Sequence, residues 1–325
     1  NNIVSLNDIE FAYNEDLPRY VTTPDYMAYL KIGEGCDNHC TYCIIPKIRG
    51  KFRSRLEKNI LDEVNLLVNN GVKEIILIAQ DLTDYGVDIY GKRMLHDLVR
   101  KISLIDGVEW IRLLYCYPEE ITDELIEEIA NNDKVVKYLD LPIQHISSKV
   151  LKQMGRRTNK ETIIDKIETL RNKVPNIALR TSLIVGFPGE TEEEFNELAT
   201  FLKDYKLENV GVFAYSQEED TPAAIMDGQI EENIKKERQN TLMAIQRDVV
   251  KEQIKLKIGN IYDTIIDSNN GEYFIGRNYE MAPEIDGLIY IKKHDGLSIG
   301  DIIKVKVTDV MEYDLIGEIF DELSK

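Results

Sequence analysis

The sequence predicts an α/β protein, a partial (β/α)6 barrel of parallel strands followed by a small five-stranded antiparallel β-barrel. Three observations carry this expectation. Six short apolar runs alternate with amphipathic stretches between Met27 and Ala214, and strand–helix alternation builds parallel sheets with right-handed crossovers. After Gly259 the pattern changes to short alternating strands separated by glycines, the signature of a small antiparallel barrel. The unusual residues of the first part fall directly after the apolar runs, where the βα loops of a barrel converge.

Residues 1–25 are polar and weakly periodic and read as a linker or tail; 26–257 form the expected barrel domain and 258–325 the small one. The predicted barrel strands are Met27–Ile32, Glu74–Ala79, Trp110–Tyr115, Tyr138–Leu141, Ala178–Val185 and Asn209–Ala214. Between them, Asn59–Asn70 puts Ile60, Val64, Leu67 and Val68 on one helical face, and Asp123–Asn131 and Thr162–Val174 repeat the spacing. Thr191 followed by Glu194 is a capping-box signal for a helix through Tyr205. Six strand–helix repeats are two short of a closed eightfold barrel. A long polar helix, roughly Ile230–Lys257, follows. The small barrel is predicted from Ile261–Ile266, Tyr273–Arg277, Leu288–Ile291, Ile302–Val310 and Leu315–Phe320.

Net charge is −18, from 58 acidic and 40 basic residues. A general nucleic-acid binder needs clustered cations, so that class is set aside. A basic protein partner fits, and so does solubility alone. No apolar run approaches the roughly 20 residues of a membrane span, and no secretory signal opens the sequence. Three of the four cysteines lie within eight residues, unlike a secreted disulfide framework. A reducing, cytoplasmic setting without membrane contact is expected.

Those three cysteines form C-x3-C-x2-C: Cys36, Cys40 and Cys43. Thiolates bind iron and zinc alike. Structural zinc wants four protein ligands, and the candidates for a fourth are His39, placed awkwardly between two ligands, and Cys116, on another strand. A three-thiolate site with one open iron suits a [4Fe–4S] cluster that takes an exogenous ligand. A zinc-binding scaffold without enzymatic activity, or inert thiols, is the alternative.

The pattern resembles the radical S-adenosylmethionine superfamily. Within it, Gly35–Pro46, Arg49-Gly50, Arg53-Ser54-Arg55 and Ile184-Val185-Gly186-Phe187-Pro188-Gly189-Glu190-Thr191 look like the methylthiotransferases, over nearly all of 26–325. The resemblance implies a TIM-type radical SAM barrel followed by an OB-like TRAM domain. It implies that three cysteines hold three irons and that the methionine moiety of S-adenosylmethionine chelates the fourth. One electron then cleaves the cofactor to a 5′-deoxyadenosyl radical. Ala79-Gln80-Asp81, Tyr138–His145, Leu114-Tyr115, Tyr117-Pro118 and Tyr215-Ser216-Gln217-Glu218-Glu219 look like the branch that adds a methylthio group to the β-carbon of an aspartate in ribosomal protein S-twelve. That branch implies hydrogen abstraction from the aspartate β-carbon, coupling to a sulfur species, and a methyl group from a second S-adenosylmethionine. It also implies an electron donor of the flavodoxin or ferredoxin type and a sulfur source. The sister branch modifies transfer RNA. From Ile258 onward there are 14 acidic against 6 basic residues, which favours a basic ribosomal protein over transfer RNA. Members of the group also carry an N-terminal domain with three further cysteines and a second cluster. No cysteine precedes Cys36, so the chain is expected to lack that domain and to hold one cluster.

The resemblance places Tyr42 near the adenine, although Tyr42 read alone could be core. Gln80, Gln144 and Arg180 are polar positions at or near strand ends and are candidates for cofactor binding, with the guanidinium fork suited to a carboxylate; hydrogen bonding at the barrel rim is their plainer reading. Gly186 could allow close backbone approach to the cofactor. Glu190 reads equally as a charge at a helix N-terminus, and Arg49, Arg53 and Arg55 equally as a solvated basic face. His145 and Cys116 read as core. Glu218 and Glu219 are candidates for contact with a basic substrate. No residue is singled out as catalytic.

Overall fold

Strands buried on both faces need near-continuous apolar runs, and Glu-Ile-Ile-Leu-Ile and its counterparts supply them. The computed structural model describes residues 21–294 and 296–320; most of the expected N-terminal tail, 1–20, lies outside the described residues. β1 (Met27–Lys31) leads into a two-residue ribbon, β2 (Gly33–Glu34) against β3 (Arg53–Ser54). β4 (Glu74–Ile78), β5 (Trp110–Leu113), β6 (Val135–Asp140), β7 (Ala178–Val185) and β8 (Asn209–Ala214) complete the first domain. The sheet order is β1-β4-β5-β6-β7-β8, and every pairing in it is parallel. β1 and β8 are edges, so the barrel is open, as six repeats require.

One row of leucines shows how the sheet is held. Leu30, Leu77, Leu113, Leu139 and Leu179 are successive register partners across five strands, and all are buried in one core with the helices. The helices are α1 (Ile45–Arg49), α2 (Glu57–Asn69), α3 (Val87–Tyr90), α4 (Leu95–Ser103), α5 (Asp123–Asn131), α6 (Ser148–Gln153), α7 (Lys160–Lys173), α8 (Glu192–Tyr205) and α9 (Glu232–Lys255). α2 buries Ile60, Val64 and Leu67, and the Thr191–Glu194 capping box closes the first turn of α8. α9 covers the open edge: Gln239 donates to the carbonyl of Val212 (2.7 Å) and Gln246 to that of Leu207 (2.9 Å). Side-chain amides thus satisfy part of an edge that another strand would otherwise pair.

The second domain closes β9 (Ile261–Asn269), β10 (Tyr273–Arg277), β11 (Ile289–Lys292), β12 (Ile302–Met311) and β13 (Asp314–Ile319) into a barrel of order β10-β11-β13-β12-β9. It is mixed rather than wholly antiparallel, because β11 and β13 pair in parallel. The correction has a simple cause: strand direction cannot alternate all the way round a closed ring of five, so one neighbouring pair must run the same way.

The two domains meet on the inner face of the sheet, where Ile76, Leu114, Tyr138 and Ala178 pack with Ile265 and Ala282. A buried ionic cluster ties this joint. Glu74, the first residue of β4, accepts from Arg112 Nε (2.8 Å) and from Arg277 Nη2 (2.9 Å). Arg277 also pairs with Asp267 (2.7 Å), and Tyr138 donates to Asp286 (2.7 Å). Burial alone would raise the Glu74 carboxyl, but Arg277 and Arg112 hold it below the usual range. A carboxylate held down by folding contributes stability above its unfolded pKa and loses it as pH falls through the folded value. Replacing Glu74 by Gln removes the one charge shared by two buried guanidinium groups, leaving Arg277 with Asp267 and Arg112 with the Tyr279 carbonyl, and is expected to cost about 3 kcal/mol at neutral pH, read by urea unfolding. The difference from wild type should narrow as pH falls below the unfolded glutamate value of about 4.3.

Candidate metal and cofactor site

The cysteine loop leaves β2 and returns at β3, and glycine makes the closure possible. Gly35 has φ +80°, and a Cβ there would lie 2.1 Å from the carbonyl oxygen of Lys51. The amide of Cys36 donates to Gly50 O (3.2 Å), and that of Phe52 to Asp37 Oδ1 (3.1 Å). The far side rests on the end of α6. Thr41 N donates to Met154 O (2.9 Å) and Thr41 Oγ1 to Gln153 O (2.8 Å). Gly155 stands so close that a Cβ would meet the carbonyl of His39 at 2.7 Å. Cys36 and Cys40 are buried, Cys43 is half-buried and His39 is exposed.

Polar groups from neighbouring strand ends surround these thiols. Asn38 Nδ2 donates to Cys36 Sγ (3.6 Å) and to Asp81 Oδ2 (2.8 Å). Burial, and then Asp84, push the Asp81 carboxyl up to about 7. Burial pushes the Cys36 thiol up to about 11 and raises that of Cys43. Arg156 is only 7% exposed. Its guanidinium carbon lies 4.1 Å from the centre of the Tyr117 ring, and Glu119 is 3.6 Å away. None of its three nitrogens donates a hydrogen bond. The phenols of Tyr42 and Tyr117 are both raised, by burial first and by Cys40 next.

The other expected residues fall into three groups. Gln80 and Gln144 lie at carboxyl ends of strands. Gln80 Oε1 is buried and accepts no hydrogen bond. Gln144 adopts φ +69°, held by its amide on Ser182 O (2.9 Å) and its carbonyl on Ile184 N (2.7 Å). Tyr115, at the end of β5, is also left-handed, with φ +64°. Such conformations in residues other than glycine cost energy and collect at functional sites. Arg180 and Gly186 have close neighbours within the chain. Arg180 pairs with Asp140 (2.9 Å) and Asp286 (3.7 Å), at the joint with the second barrel. Gly186, at φ +73°, lies under α9, where a Cβ would sit 2.3 Å from Lys235 Cγ. Glu218 and Glu219 are exposed on a turn that Lys47 of α1 ties to the cysteine loop through Asp220 O. Among the basic candidates, Arg55 is buried against Glu63 (2.6 Å), whereas Arg49 is exposed.

Glu190 does more than charge a helix end. It is buried and accepts from Arg238 Nη1 (2.8 Å), from the Gly186 amide and from His145 Nε2 (3.2 Å). Ser147 N donates to His145 Nδ1 (2.9 Å), which leaves the ring proton on Nε2. Sequence reasoning passed over Arg156 and Arg238, and no local spacing marks either. Cys116 is fully buried and its thiol is raised well above the ordinary range by burial. Among the described residues, no three His, Cys, Asp or Glu side chains converge to hold a single metal ion.

Comparison with known proteins decides the family. The Radical SAM superfamily model matches residues 30–202 and the TRAM domain model residues 258–320. Ribosomal protein uS12 methylthiotransferase RimO of Clostridium botulinum (strain Langeland) is 62% identical over 307 residues, covering 94% of this chain and 69% of that protein. The chain belongs to the RimO family of radical SAM enzymes. A second RimO, of Clostridium perfringens, is 58% identical over 99% of this chain and 72% of its own length. The fold also matches the radical S-adenosylmethionine methyltransferase TsrM from Kitasatospora setae, solved with cobalamin and a [4Fe-4S] cluster bound. The TM-score is 0.51 at 18% identity, over 61% of this chain and 38% of that one. Membership of the Radical SAM superfamily implies a [4Fe–4S] cluster and S-adenosylmethionine as cofactors. No described helix is long and apolar enough to cross a membrane.

Gly35→Ala should abolish iron loading on anaerobic reconstitution, because the new methyl group collides with backbone rather than a movable side chain. Far-UV circular dichroism should stay near wild type, since the loop contributes little regular secondary structure.

Proposed function

We propose that Cys36, Cys40 and Cys43 hold one [4Fe–4S] cluster with an iron open to S-adenosylmethionine, and that the chain serves methylthiolation of an aspartate β-carbon in ribosomal protein uS12. The observation that carries the reading is the loop itself: three buried or half-buried thiols, spaced C-x3-C-x2-C, at the carboxyl edge of a parallel sheet. A cubane cluster takes its thiolates on three separate irons, whereas structural zinc needs four ligands around one point. The groups beside the loop fit such an occupant, since the buried guanidinium of Arg156 and Oε1 of Gln80 lack partners.

When bound, the cluster supplies the electron that cleaves S-adenosylmethionine. The chain's own residues do the rest. Gly35 and Gly155 let the loop close against β3 and α6, Asn38 orients Cys36, and Tyr42 lies beside Cys40 as a wall for the adenine. Gln80 and Gln144, at strand ends, would hold the ribose and methionine groups when S-adenosylmethionine is bound. The exposed Glu218 and Glu219, and the acidic second barrel, favour a basic protein substrate. A flavodoxin- or ferredoxin-type protein supplies electrons, and sulfur comes from outside the residues described.

Anaerobic reconstitution with iron and sulfide, followed by reduction with S-adenosylmethionine present, should yield 5′-deoxyadenosine from wild type and only background from Cys40→Ala. No product from wild type would sink the enzyme reading. In a binding assay offering uS12 and transfer RNA together, the chain should retain uS12; retention of transfer RNA alone overturns the substrate.

A further inference from the structure

We infer that Arg156 is the counter-cation of the anionic cluster at Cys40, and that it sets how readily the cluster accepts an electron. The inference rests on the proposed function and names a residue that neither the cysteine motif nor the strand-end pattern contains.

A guanidinium that is more than nine-tenths buried is costly unless paired and hydrogen-bonded. Arg156 has five donors; the Tyr42 phenol lies beside them, but none makes a hydrogen bond of good geometry within the chain. Glu119 stands at 3.6 Å, close enough for charge attraction but too far for a good hydrogen bond. The Tyr117 ring, 4.1 Å from the guanidinium carbon, fixes the plane of the fork without supplying an acceptor. Tyr42, Glu119 and Cys40 face the same guanidinium, yet none of them takes a hydrogen bond of good geometry from it, so its donors are left for a group bound among them. The segment carrying Arg156 already lies along the cysteine loop, through Met154 O on Thr41 N and Gly155 against His39 O. Thiolate and inorganic sulfide are the acceptors that an iron–sulfur cluster brings to that place. Three thiolates on [4Fe–4S]2+ leave one net negative charge, and reduction adds another. A cation in contact favours the more negative form, so Arg156 raises the reduction potential; Glu119, beside the same guanidinium, opposes it.

Redox titration of the reconstituted full chain, followed by absorbance and by the EPR signal of the reduced cluster, tests this in the absence of S-adenosylmethionine. Relative to wild type, Arg156→Met should shift the potential more negative, Arg156→Lys should restore part of the shift, and Glu119→Gln should move it more positive. Glu119→Gln and Arg156→Lys keep the test open if the Met variant fails to load iron. Unchanged potentials in variants with intact clusters overturn the inference. So does an unchanged potential with weakened binding of S-adenosylmethionine, measured by calorimetry, which would assign Arg156 to the cofactor's carboxylate. A wild-type chain without [4Fe–4S] absorbance instead overturns the proposed function itself.

Discussion

Parallel pairing is the constraint on which the rest of this structure depends. Six strands running the same way bring six carboxyl ends to one edge, so every βα loop opens on the same side. The cysteine loop follows β1, Gln80 and Asp81 follow β4, Tyr115 and Tyr117 follow β5, and Gln144 follows β6. Residues far apart in sequence therefore reach one small volume without any one of them needing an unusual fold of its own. The leucine row through β1, β4, β5, β6 and β7 is what keeps those ends level. It packs the outer face of the sheet on the helices and leaves the inner face to the second barrel.

An open sheet of this kind has two weaknesses, and each is met by a different device. The free edge of β8 is covered by α9, whose glutamine amides reach the carbonyls of Val212 in the strand and of Leu207 just before it. The inner face toward the amino ends of the strands is closed by the second barrel, with Glu74 shared between a guanidinium from each domain. A shared buried carboxylate is a poor source of net stability but a strict one. It is satisfied only when both domains are seated, so it fixes where the acidic barrel stands relative to the loop edge.

How much of this the sequence disclosed follows from what period can encode. The strands Ala178–Val185 and Asn209–Ala214, the helix Asp123–Asn131 and the Thr191 capping box read directly, because burial of one face repeats locally. Level within the sheet does not. Arg180 belongs to a correctly predicted strand, but β7 runs on past the end of β6, and Arg180 is the register partner of Asp140, which pairs with its guanidinium. Gly186 is likewise dictated by a helix some fifty residues later, through Lys235. Glu190 with Arg238, and Arg156 with Tyr117, are contacts across 48 and 39 residues, and no period of 2 or 3.6 marks such a pair. The parallel pair in the small barrel was within reach of counting alone, since five is odd.

Net charge describes the surface of this chain and misdescribes its site. At −18 the chain as a whole repels anions, and a negatively charged cluster would be an unwelcome addition to it. Beside the cysteines the balance differs. Asp81, the carboxyl that Asn38 links to Cys36, is pushed by burial to about 7, so near neutrality much of it carries no charge, and its oxygens serve chiefly as acceptors for Asn38 and Thr83. Arg156 stays charged at any accessible pH, is held at low exposure, and spends none of its donors on the chain. Two buried groups of opposite type thus make the pocket less negative than its surroundings, and screening by solvent or salt cannot remove that difference as it would at the surface. The acidic exterior and the cation-lined interior are compatible because they act over different distances: one governs which macromolecule approaches, the other what the thiolates can hold.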